Sequence, residues 1–144
     1  MNEVIETPEG FNFNSAFQTD PKKELDGSWT TLTLGGEDME IMLARKDNNR
    51  ATSYLRELLK VNEVALAPND EKANELFLTI RKKVMARCII LDWKNVIVDG
   101  SIIPYDEETC FKLLKFTDFF NLVDLRSGTF SVFRAKSNEK ILKN

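Results

Sequence analysis

Apolar positions along this chain switch between two spacings, and each switch marks an element. From Ser28 to Arg45 the period is two: Leu32 and Leu34 alternate with threonines, and Met39, Ile41 and Leu43 alternate with Glu40 and Met42. Ser28–Leu34 and Met39–Arg45 therefore predict a β-hairpin across Gly35-Gly36-Glu37-Asp38. An isolated hairpin is marginal, so this one packs on helices or pairs with another chain, and an open edge offers a subunit contact. From Asn49 to Val61 the spacing is helical, with Tyr54, Leu55, Leu58 and Leu59 as the stripe and Asn48 or Asn49 as the cap. Asn62–Asn69, with Pro68, reads as a connection. Asp70–Leu91 predicts the longest helix, because Ala73, Leu76, Phe77, Ile80, Val84, Cys88 and Leu91 recur at three- and four-residue steps. Leu78, Met85, Ile89 and Ile90 broaden that face, as expected of a helix central to the fold or shared with a partner.

The segment Leu91–Thr109 then connects two helical regions. Asp99-Gly100 is a turn signal, flanked by the β-branched runs Val96-Ile97-Val98 and Ile102-Ile103, which together predict a small hairpin or extended excursion. Pro104 pushes Ile103 out of helical geometry. Asp106 stands where an N-cap belongs, with Glu107 and Glu108 in the first turn against the positive end of the helix dipole. Trp93 and Tyr105 supply the large rings that pin this connector to the core, the indole N–H needing an acceptor. For Trp93, Gly100 and Tyr105 a packing and turn role is favoured over a chemical one. Glu107–Phe116 reads as a third helix through Cys110, Phe111, Leu113 and Leu114. A fourth follows Thr117-Asp118, carrying Phe119, Phe120, Leu122, Val123, Phe130 and Phe133, with Gly128 stopping or kinking it.

The fold class that follows is α+β, mainly α: an N-terminal β-hairpin packed on about four helices. Residues 28–135 make the single domain. Residues 1–27 make a flexible arm, in which Phe11, Phe13 and Phe17 dock on the chain's own core in preference to a partner. Residues 136–144 make a polar, basic tail.

Composition narrows the chemistry. The 144 residues suit one core, and a net charge of −3 neither demands nor forbids a charged partner. No apolar run is long enough for a bilayer, and the acidic start Met1-Asn2-Glu3 lacks the features of a signal peptide, which points to the cytosol. Cys88 and Cys110 read as buried thiols. The chain has no histidine, which removes Ser-His-Asp and Cys-His catalysis and His-ligated zinc; no Walker A, GxGxxG or GxSxG pattern occurs. No catalytic residue, metal site or cofactor is expected. An enzyme using Asp99, Asp106 and Glu107 is disfavoured, since acids at a turn and a helix start already have a structural role. The basic stretch Arg81, Lys82, Lys83 and Arg87 lacks a groove-entry motif or interleaved aromatics, so a solvated face is favoured over a nucleic-acid surface.

Taken in order, Gly27-Ser28-Trp29 opening a hairpin, then Leu91-Asp92-Trp93-Lys94-Asn95-Val96, Asp99-Gly100, Ile102-Ile103-Pro104-Tyr105-Asp106 and a charged end resemble the tail assembly chaperones of bacteriophages with long, non-contractile tails. The resemblance spans roughly Ser28 to Asn144. It implies a non-catalytic role: binding the tape measure protein in the host cytoplasm, keeping its long helices soluble, helping to recruit the tail tube protein, and leaving before the virion matures. It also implies short and frameshift-extended forms, of which this chain is the short one. Leu78, Met85, Ile89, Phe119 and Phe130 are the candidate partner-binding residues, and self-association is open. The alternative is a small nucleic-acid-binding regulator using the Arg81–Arg87 patch.

Overall fold

A computed structural model describes residues 8–135; the expected polar tail 136–144 lies outside the described residues. Two short helices come first, α1 (Phe13–Phe17) and α2 (Pro21–Asp26), capped by the side chains of Asn12 and Asp20. Strands β1 (Ser28–Leu34) and β2 (Glu37–Leu43) follow, then α3 (Asn49–Val61), α4 (Glu63–Leu66) and α5 (Glu71–Val84). A π-helical turn, Met85–Ile89, runs from α5 straight into β3 (Ile90–Lys94). Strands β4 (Val96–Val98) and β5 (Ser101–Ile103), helices α6 (Glu107–Leu113) and α7 (Thr117–Ser127), and a 3₁₀ turn, Phe130–Phe133, complete the order.

The expected hairpin on about four helices is not the architecture. Among the described residues there are seven helices, a three-stranded antiparallel sheet ordered β1-β2-β3 and a separate two-stranded sheet β4-β5. The difference arises chiefly at one place. The helix predicted to run to Leu91 keeps α geometry to Val84, continues as the π turn to Ile89, and gives way to Ile90–Lys94, which pairs with β2. Cys88, Ile89, Ile90 and Leu91 fit a helical stripe, but β-branched Ile89 and Ile90 fit a strand as well. The free edge of β2 decides the matter by supplying backbone partners that a continued helix would leave unpaired. The other additions are smaller: α1 and α2 in the segment expected as an arm, and α4 in the expected connection.

The β1–β2 turn is tighter than predicted. Leu34 pairs directly with Glu37 across Gly35-Gly36, both at positive φ, so the loop has two residues. Ile41 faces Trp93 and Leu43 faces Ile90, with a bulge at Leu91. That extra residue is why Ile90 and Trp93, three apart, both reach the core while Leu91 turns to the other face.

The core lies between this sheet and the helices. Ile41, Leu43, Ile90 and Trp93 come from the sheet; Ile80, Val84, Met85 and Ile89 from α5 and the π turn; Cys110, Leu114, Phe120 and Val123 from the last helices. The outer strand β1 is not left bare. Arg126 on α7 donates from Nε to the Thr30 hydroxyl (3.1 Å) and from Nη2 to the Thr31 carbonyl (3.2 Å). Helix α2 is tied down through the backbone: Arg45 N–H donates to Glu24 O (2.7 Å), and Asp20 N–H to Phe133 O (2.8 Å).

Gly27, between α2 and β1, has φ +97° and ψ 159°, a region essentially reserved for glycine. A Cβ there would lie 2.8 Å from Met42 Cγ and 2.9 Å from Leu91 Cδ1. At Gly36, φ is +78° but nothing lies within 4 Å of a Cβ. Gly27→Ala is expected to cost about 2–5 kcal/mol, from backbone strain plus overpacking. Gly36→Ala should cost only the left-handed penalty, about 1–2 kcal/mol. Urea unfolding of both variants checks this, and equal losses would contradict it.

Candidate functional site

The connector residues divide into two groups. Trp93, Pro104, Tyr105 and Asp106 belong to the junction of β3, β5 and α6. The Trp93 indole N–H donates to Ile103 O (3.1 Å), and its ring meets Tyr105 edge-on at 5.0 Å between centroids. The Tyr105 hydroxyl lies 2.9 Å from Ala86 O and 2.7 Å from Ile90 O, so its single proton serves carbonyls on both sides of the helix-to-strand switch. Burial pushes the Tyr105 hydroxyl well above the ordinary phenol range. The Asp106 carboxylate accepts from Thr109 N–H (2.7 Å) and from the Thr109 hydroxyl (2.8 Å), which holds it below the usual carboxylate range and starts α6. Asp99 and Gly100, at φ +50° and +79°, form the two-residue tip of the β4–β5 hairpin, apart from this junction.

The candidate partner residues do not share a face. Met85 and Ile89 are buried in the core, 5% and 3% exposed, so neither is available to a partner. Leu78 is exposed on α5 beside Phe77. Phe130 packs against Phe17 (5.7 Å), which with Phe11 and Phe13 makes an aromatic cluster outside the core. Met85 and Ile89 touch only a small cleft of about 130 Å³, whereas Phe119 lines a larger, open groove.

That groove, of about 600 Å³, opens between the tip of the β1–β2 hairpin, the start of the β4–β5 hairpin and α7. Leu32, Leu34 and Met39 line one wall, Val96 and Ile97 another, and Phe119 and Leu122 the third; Glu37, Asp38, Lys94 and Asn95 stand around it. It has the size of an ordinary ligand site. It exists because the hairpin is longer than the core it covers. Leu32 is buried, but Leu34, on the same face, is 57% exposed, and Ile97 is 65% exposed. The sequence carried a signal for this: apolar alternation in β1 runs right up to Gly35, where a solvent-facing tip is normally polar.

The two arginines of the basic stretch are engaged within the chain. Arg81 Nη2 lies 3.4 Å from Asp124 Oδ1, and its guanidinium sits over the Phe120 ring at 4.9 Å. Arg87 Nε lies 3.2 Å from Glu107 Oε2, with its guanidinium over Tyr54 at 4.3 Å. Among the described residues no cluster of three or more His, Cys, Asp or Glu is placed to hold a metal ion, and no helix is long and apolar enough to cross a membrane.

A family model described as YdaY prophage protein matches residues 40–144, nearly three quarters of the chain. The chain belongs to that family. It is thus a phage-derived protein, and the family match begins within β2 and takes in everything after it. Two walls of the groove, with Ile97 and Phe119, lie inside the family region; Leu32, Leu34 and Met39 lie before it. No curated protein matches the chain, and neither does any solved structure.

Two outcomes test the chemistry of the junction. Tyr105→Phe removes the proton shared by Ala86 O and Ile90 O and is expected to cost about 1–3 kcal/mol in urea unfolding at neutral pH; a loss below about half a kcal/mol would show that water replaces the hydroxyl. Burial also pushes the Cys110 thiol up to about 12. The folded state holds this thiol neutral, so its contribution is complete below the ordinary thiol range. It is lost as pH rises from about 9 toward 12, by up to about 1.4 kcal/mol per pH unit. Cys110→Ala should flatten the alkaline slope of stability; an unchanged slope would refute the assignment.

Proposed function

We propose that this prophage protein is a tail assembly chaperone that acts without chemistry in the host cytoplasm. It binds an amphipathic helix of the tape measure protein, helps to bring in the tail tube protein, and leaves before the tail is finished. The observation that carries the reading is the open apolar groove bounded by Leu34, Met39, Ile97 and Phe119. A helix-in-groove mode needs such a surface: apolar anchors at i, i+3 and i+4 enter a preformed trough, and no reactive group takes part. The order of elements around Trp93, Asp99-Gly100 and Tyr105 supports the same reading by resemblance, and the prophage family supports its setting. The Arg81–Arg87 stretch favours no second reading, because both arginines are already paired with carboxylates and rings of the chain.

Co-expression tests it. A phage tape measure protein co-expressed with the chain is expected to be several-fold more soluble than when expressed alone, and the two should co-purify. Leu34→Asp with Ile97→Asp should abolish both effects. Because both side chains are exposed, that variant should still melt cooperatively. A partner equally soluble alone, or a complex indifferent to the double substitution, would refute the proposal.

A further inference from the structure

We propose that the occupant of the groove is an amphipathic helix whose apolar stripe ends in basic residues, and that this end lies over the β1–β2 turn. The inference rests on the helix-binding reading above and adds the charge of the partner. At the hairpin tip Glu37 and Asp38 stand exposed beside the apolar walls. The Asp38 carboxylate accepts from the Thr33 hydroxyl (2.7 Å), which positions it and leaves oxygen lone pairs open to a partner. Among the described residues no cation forms an ion pair with either carboxylate. Lys94, the cation at the groove, is occupied elsewhere: its ammonium sits over the Trp29 ring at 4.2 Å, and its neighbour across β2 is Glu40. Among the described residues, then, the tip is a pair of carboxylates that no cation bonds directly, next to an apolar trough. A helix with lysine or arginine after its apolar stripe gains there, and one with acids at that end is repelled, so the tip selects among helices that the trough alone accepts.

The test uses the full chain and two labelled peptides of about 18 residues, long enough to form a helix on binding. They share a leucine stripe; one ends in three basic residues, the other in three acidic ones. By fluorescence anisotropy the basic peptide should bind about three- to tenfold tighter, the range of two exposed ion pairs, with the preference shrinking as salt is added. Glu37→Lys with Asp38→Lys should reverse the preference. Glu57→Lys with Glu63→Lys makes the same change in net charge on exposed helix positions away from the groove and should leave the preference intact. Equal binding of both peptides, or a preference lost equally in the two charge variants, overturns this proposal while leaving the helix-binding reading in place. If neither peptide binds, both fall together. If the free chain self-associates and Ile97→Asp makes it monomeric, the groove belongs to a second copy, and the proposal is likewise overturned.

Discussion

The conversion of a helix into a strand between Val84 and Ile90 is the constraint on which the rest of the molecule depends. A helix that stops inside a protein leaves carbonyls without intrahelical donors, and each must be met. Here the donors come from three separate places. Asn48 Nδ2 reaches Cys88 O at 3.1 Å while its Oδ1 accepts from Ala51 N–H, so one buried amide closes the π turn and starts α3. Ala44 N–H donates to Ile89 O at 2.8 Å, and the Tyr105 hydroxyl serves Ala86 and Ile90. The end of β2, the cap of α3 and the entry to α6 are thereby bound to the same five-residue turn. Loss of any one donor exposes a buried carbonyl to an apolar surround, where an unmet group is costly.

The position of the groove follows from that junction. Because β3 joins β2, Trp93 covers the middle of the sheet and Asn95, at φ +54°, turns the chain away into β4. The β4–β5 hairpin is thus set beside the far end of the β1–β2 hairpin, with α7 closing the third side. The side chains at the sheet's centre are buried in one core with the π turn and the last helices; Leu34, at its tip, is not. An apolar surface of this kind has a physical cost in water, which the proposed helical partner would relieve.

Met85 and Leu78 show how closely packing governs such a reading. Both extend one helical apolar face by sequence, seven residues apart, yet Met85 is sealed among the core side chains and Leu78 is open to solvent. Periodicity says which residues share a face. It does not say how far along that face a neighbour reaches.

Much was legible in the sequence because its causes are local. Strand alternation in β1 and β2, the caps at Asn48 and Asp106, and the Asp99-Gly100 turn depend on residues a few positions apart; the caps and the turn fall where the pattern puts them, while β2 runs from Glu37 to Leu43 instead of Met39 to Arg45. What the sequence left undecided was long-range. Ile89 to Leu91 satisfies a helical stripe and a strand equally well, and the choice fell to β2, more than forty residues earlier, whose edge offered hydrogen bonds that only a strand can take. The same holds for the groove. Leu34, Ile97 and Phe119 lie in three separate elements, and they become one surface only because the sheet ends where α7 and the second hairpin begin. Local chemistry determined the elements; the competition for backbone partners and the finite reach of the core, both set by tertiary structure, decided which of them became strand, core or exposed site.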